Sequence, residues 1–141
     1  MAVFVNKNVY LTIGAHDLSA YVKGITFDVG AETQDITAMS ATSGATPTRI
    51  FASGLNTWSF AVDLFQDFAA DQVDHAIAAA LTAGSAVIAF RPTAANIGAT
   101  NPLYTMTGIV ESYNPIAGNV GDAVVIKVSF KAGGAIVKTT S

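Results

Sequence analysis

Between Thr57 and Leu64 the large apolar side chains fall on every second residue: Trp58, Phe60, Val62 and Leu64 alternate with Ser59, Ala61 and Asp63. Successive side chains of a strand point to opposite faces, so this pattern predicts a half-buried β-strand with its even residues in a core. The same period recurs along the chain. Val9/Leu11/Ile13 and Ile25/Phe27/Val29 each fall on one face, within Val9–Ile13 and Gly24–Val29. Leu18 to Tyr21 lies between these two runs, with Asp17 and Ser19 as turn or capping residues. Ala86–Arg91, Tyr104–Tyr113 and Ala123–Phe130 read as further strands, the last with Val124, Ile126, Val128 and Phe130 inward, and Gly133–Val137 as a short terminal one.

One segment breaks the period. From Phe68 to Ala83 the apolar residues Phe68, Val73, Ile77, Ala80 and Leu81 are helically spaced and embedded in alanines, which favour helix. A helix over 68–83 follows, with Asp67 as N-cap, Asp71 and Asp74 at its positive end and Gly84 as C-cap. The stretch Gly30–Gly54 is rich in Ala, Thr, Ser and Gly, and its large apolar groups are Ile36, Met39, Ile50 and Phe51. It reads as a long loop. A loop of this length is functional or disordered as a rule, and two readings stay open: a contact with a neighbouring subunit anchored by those four residues, or a surface loop or poorly formed hairpin. The fold class is therefore mainly β, one domain over 1–141 with one flanking helix; 141 residues leave no room for a second domain.

Charge narrows the function. The chain has 7 Lys+Arg and 10 Asp+Glu, a charged fraction of 12%, about half that of an average soluble chain. A monomer of this mass exposes about 6,900 Å², or roughly one charge per 400 Å², a density that implies surface covered by other subunits. Self-assembly is expected on this ground alone. The scattered basic residues and net charge of −3 argue against binding nucleic acid through its phosphates. There are no cysteines, which removes disulfides, thiolate nucleophiles and cysteine-ligated zinc. The N-terminus lacks the pattern of an export signal, so the mature chain is expected to start there, and the apolar run Ala76–Phe90 is too short to span a bilayer.

Catalytic constellations are weak. His16, Asp17 and Ser19 are the residue types of a hydrolase triad, but sequence neighbours do not supply its geometry, and a turn is the expected role. Asp71 and His75 are four apart on the helix, with Asp67 or Asp74 nearby, yet two histidines in the whole chain fall short of a catalytic zinc site. Gly118-Asn-Val-Gly-Asp122 has the glycines of a phosphate loop without the Lys-Ser/Thr that follows, and reads as a hairpin turn. Trp58 and Phe60 share the core face, which removes them as a carbohydrate platform. No enzyme activity, cofactor or metal is expected.

Several segments taken in order carry a family resemblance: Asn8-Val-Tyr-Leu-Thr-Ile-Gly-Ala-His-Asp-Leu-Ser-Ala-Tyr-Val-Lys-Gly-Ile-Thr-Phe27, Trp58-Ser-Phe-Ala-Val-Asp-Leu-Phe-Gln-Asp-Phe68, the helix, Phe90-Arg-Pro92, Asn101-Pro-Leu-Tyr104 and Tyr113-Asn-Pro-Ile-Ala-Gly-Asn-Val-Gly-Asp122. Together they resemble the tail tube, or major tail, protein of long-tailed, non-contractile bacteriophages, over nearly the whole chain. The resemblance implies a β-sandwich or barrel-like fold with one helix. It further implies six copies closed into a ring, and rings stacked into a hollow tube through which DNA leaves the capsid. It places the protein in the virion tail after synthesis in the host cytoplasm, with tape measure and tail terminator proteins as partners, no membrane, and DNA passing the lumen without specific binding. In that family the loop after the first strands reaches the adjacent ring, and 30–54 occupies the matching place. Six copies carry about −18 per ring, and an acidic lumen repels phosphates; Asp28 and Asp63 are the acids expected to face it. The alternatives are another virion part, a capsid decoration or tail terminator protein, or a β-sandwich binding module.

Overall fold

The computed structural model describes residues 8–37 and 49–141, so Met39 lies outside the described residues. Its elements are β1 (Tyr10–Ile13), β2 (His16–Asp17), a single 3-10 turn (Ser19–Tyr21), β3 (Val22–Asp35), β4 (Phe51–Phe65), α1 (Val73–Ala83), β5 (Ala86–Arg91), β6 (Leu103–Tyr113), β7 (Val125–Ala132) and β8 (Val137–Thr139). The strands form one eight-stranded sheet in the order β2-β1-β5-β6-β7-β4-β3, with β8 pairing β6. The pairings β1–β2, β1–β5, β5–β6, β6–β7, β4–β7 and β6–β8 are all antiparallel. The chain divides into two compact units, residues up to Phe27 together with Ser59–Ser141, and Asp28–Trp58.

In the larger unit the sheet curls. β3 stands four places from β5 in the strand order, a separation of about 19 Å in a flat sheet. Yet the Phe27 ring of β3 lies 5.2 Å from Phe90 of β5 and 5.7 Å from Tyr104 of β6, edge-on to both. Phe60 and Phe130 extend the same cluster across β4 and β7. Inward residues of the curled sheet, Leu11, Ile13, Val62, Leu64, Ile88, Met106, Ile126 and Val128, are fully or almost fully buried, and α1 adds Val73, Ala76, Ile77 and Ala80. The alternation read in β4 and β7 is the burial alternation observed, because each strand is apolar on one face only.

Three boundaries differ from the sequence reading. The helix begins at Val73, with Gln72 at the N-cap position and no side-chain cap. Asp67 does not cap it: its carboxylate accepts the Ala69 N–H at 2.9 Å and the Tyr21 hydroxyl at 2.7 Å, stabilising a separate turn. Asp71 then takes a left-handed φ of 61°, which ends any helix started upstream. As a result Phe68 lies outside the helix and is exposed; Leu81, within it, is also exposed, beside the buried stripe of Val73, Ala76, Ile77 and Ala80. Gly84 is the C-cap as expected, with φ 85° and its N–H on the Ala80 carbonyl.

The second difference is the stretch 30–54, whose two ends belong to β3 and β4 and not to a loop. Small residues there carry no visible period, so pairing between backbones, not side-chain pattern, makes them strands. The third is Val29, which is 62% exposed while Ile25 and Phe27, expected on the same face, are half-buried.

Candidate functional site

The unit Asp28–Trp58 contains the distal parts of β3 and β4. The Ile36 N–H donates to the Ile50 carbonyl at 3.0 Å, setting these residues opposite each other in an antiparallel ladder. Glu32 and Gly54, whose backbones approach closely, keep the same register. Residues directly opposite share a face, so within 32–36 and 50–54 the even-numbered residues lie on one side and the odd-numbered residues on the other, whereas nearer the core odd Phe27 and even Phe60 share a face and the register shifts by one. The end of the ladder is tied by Thr37, whose hydroxyl takes the Ile50 N–H at 2.6 Å. The Thr37 backbone N–H donates to Asp35 at 3.0 Å and holds that carboxyl below the usual carboxylate range, with Arg49 3.7 Å from its other oxygen.

Of the four anchors expected in this region, Ile36 and Ile50 come together as an opposed pair on the even face, 57% and 41% exposed. Phe51, 53% exposed, falls on the odd face. Leu55, 76% exposed, follows it on β4, and Val29 is exposed on β3; neither was singled out from sequence. Leu55 had a usable signal, a large aliphatic residue within Gly54-Leu55-Asn56, one position beyond the expected loop boundary. Val29 had none, since its spacing matches Ile25 and Phe27.

On the sheet of the larger unit, Asp63 lies directly opposite Lys127, and Glu111 is 3.5 Å from Lys131 on the same outward face. Acid and base thus offset one another across the strands. Asp28 and Asp63 fall in different units, Asp28 exposed and Asp63 half-buried.

The groups weighed for chemistry are structural. Asp17 accepts the Ser19 hydroxyl at 2.6 Å and the Ser19 N–H at 3.0 Å, while Ser19 Oγ takes the Leu11 N–H at 2.9 Å. His16 lies against His75 instead, ring centroids 5.7 Å apart, so no Ser-His-Asp relay forms. His75 Nδ1 accepts the Asp71 N–H at 2.9 Å, tying the ring to the residue that precedes the helix. No cluster of three or more potential metal ligands occurs among the described residues. Tyr113 donates to Asp74 at 2.7 Å and accepts from Gln66; burial pushes its hydroxyl up to about 12. Gly118 and Gly121 both have positive φ in the β6–β7 connection, where Asp122 N–H closes a turn on the Asn119 carbonyl. Trp58 and Phe60 are buried. No helix of the described residues is long and apolar enough to cross a membrane.

No protein-family model matches the chain, and no curated protein matches it. Solved structures do. A chain of the virion of a native gene transfer agent particle superposes with a TM-score of 0.74 at 17% identity, covering 98% of this chain and 100% of that one. The SPP1 tail tube gives 0.73 at 17% identity, over 99% of this chain and 80% of that one. A chain from the tail of an empty gene transfer agent particle, refined with helical C6 symmetry, gives 0.64 at 16% identity, over 86% and 83%. The chain has the tail tube fold, mainly antiparallel β with one helix, along essentially its whole length.

Proposed function

We propose that this chain is the repeating subunit of a phage-type tail tube, a structural virion protein without enzymatic activity. Six copies close into a ring, and rings stack into a hollow conduit for DNA. The observation that supports this reading most is the likeness to the SPP1 tail tube chain, matched over 99% of this chain and 80% of that one. Two further features support it. The exposed apolar hairpin and the low charge are what a subunit with covered neighbours requires. The outward sheet face, where Asp63 meets Lys127 and Glu111 meets Lys131, offers no run of basic groups to hold phosphates.

Localisation in the virion tail follows from this reading, as do tape measure and tail terminator proteins as partners. Asp28 and Asp63 are the acids proposed to face the lumen; Asp28 is the stronger choice, since Lys127 offsets Asp63. Negative-stain electron microscopy of the purified chain at high concentration tests the proposal. Hollow tubes or stacked rings are expected, and monodisperse monomers or isolated trimers would overturn it.

A further inference from the structure

Arg91 closes β5 directly opposite Tyr10 of β1, so the two share the face turned away from buried Leu11 and Phe90. Its guanidinium carbon stands 4.1 Å from the centroid of the Tyr10 ring. Its Nε is buried, yet among the described residues nothing accepts that N–H, and no ion pair includes Arg91. No other buried side-chain nitrogen or oxygen of the described residues is left so. An unmatched buried donor is costly, and more so when it is charged. The stack is also held in place. Pro92 follows it, and the Asn101 side chain then clasps the backbone of Thr93, Ala95 and Asn96. β2 pairs only with Thr12 and Ile13, so among the described residues no strand flanks Tyr10 on its outer side and the stack stands at a sheet margin.

We propose that Arg91 is an ion-pairing site for a carboxylate supplied by a second copy of the chain, from Glu32 or Asp122. The proposal rests on the tube reading above, which supplies the second copy. Arg91 is half-buried, so part of the side chain stays open to a partner, and a guanidinium stacked on a ring is preorganised for a planar oxyanion. The acids narrow the choice. Seven of the ten have a hydrogen-bonded, ionic or cross-strand partner within the subunit: Asp17 with Ser19, Asp35 with Arg49, Asp63 with Lys127, Asp67 with Tyr21, Asp71 with His75, Asp74 with Tyr113 and Glu111 with Lys131. Asp28, Glu32 and Asp122 remain, all exposed, and Asp28 is the acid assigned above to the lumen. A DNA phosphate also fits a guanidinium, but holding DNA draws on several basic groups together, and this chain scatters seven among ten acids.

The test compares the full chain with Arg91→Met, which keeps an unbranched apolar stem on Tyr10 and removes the charge. Light scattering over a concentration series reads the assembly threshold, and calorimetry below that threshold reads the Tm of the free subunit. The expected result is a threshold raised about tenfold or more with Tm unchanged or higher, because the assembly loses an ion pair while the free subunit loses an unmatched donor. Either Glu32→Gln or Asp122→Asn is expected to raise the threshold as far, and to add nothing further when combined with Arg91→Met. A wild-type threshold in Arg91→Met, or in both acid variants, overturns the ion pair and leaves the tube reading intact; wild-type chain that forms no tubes removes both. A lowered Tm with a wild-type threshold assigns Arg91 to packing and overturns the proposal. So does a short DNA duplex retained by wild type and released by Arg91→Met, which gives the site to phosphate. If Arg91→Met does not fold, Arg91→Lys carries the comparison: it keeps stem and charge without the planar fork, its threshold is expected to rise, and a wild-type threshold overturns the proposal.

Discussion

Ile77 and Leu81 stand one turn apart on α1 and share the helical stripe read from sequence, yet the structure separates them: Ile77 is fully buried and Leu81 is 50% exposed. Truncating each to alanine therefore has unequal consequences. Ile77→Ala removes aliphatic carbons from a closed site bounded on its own helix by Val73, Ala76 and Ala80, where transfer and cavity costs together reach about 2–5 kcal/mol. Leu81→Ala gives up only part of a side chain already half in water, about 1 kcal/mol or less. At this chain length each kcal/mol lowers Tm by about 4 °C, so Ile77→Ala is expected to melt some 8–20 °C below wild type and Leu81→Ala within about 4 °C. The assay is scanning calorimetry at a concentration where the wild type is unassembled, so that association does not add to Tm. An isolated helix of eleven residues is marginal in water, so α1 depends on that anchor. Equal losses at the two positions, or an Ile77→Ala variant melting within 3 °C of wild type, would refute the placement of the helix.

Two other outcomes follow from single residues. Asn101, almost fully buried, takes the Thr93 N–H on its side-chain oxygen and directs its amide at the carbonyls of Thr93, Ala95 and Asn96, so Asn101→Ala is expected to cost about 1–3 kcal/mol and to speed proteolysis within 92–101; unchanged cleavage there would contradict this role. Tyr113 has a folded value of about 12, raised above the ordinary 10, so its neutral form is the one the fold favours: the contribution is complete below pH 10 and is lost as pH rises from 10 towards 12. Alkaline denaturation of Tyr113→Phe should lack that component, and a curve parallel to wild type between pH 10 and 12 would count against it.

How much was legible in the sequence depended on what kind of order each segment uses. β4 and β7 were readable because Phe60, Val62 and Leu64, and Ile126, Val128 and Phe130, impose a period of two with large side chains. Gly84 was readable because a left-handed C-cap has a local residue preference. Ala31, Thr33, Ala52 and Ser53 impose no such period, so the strand ends around them were hidden. Asp67 misled for a different reason: it has the chemistry of a cap, but Tyr21, far away in sequence, claims its carboxylate.

What the sequence by itself determined is the set of local choices: mainly β, one helix, a glycine stop, a core face on the strongly alternating strands, and a composition poor in charge. Only the tertiary structure decided which residues face each other. The curl that brings Phe27 against Phe90, the pairing of Ile36 with Ile50 and the exposure of Val29, Leu55 and Leu81 are set by hydrogen bonds and packing between segments distant in the chain. A strand's own residues fix that its side chains alternate; the register of its partner decides what each face meets.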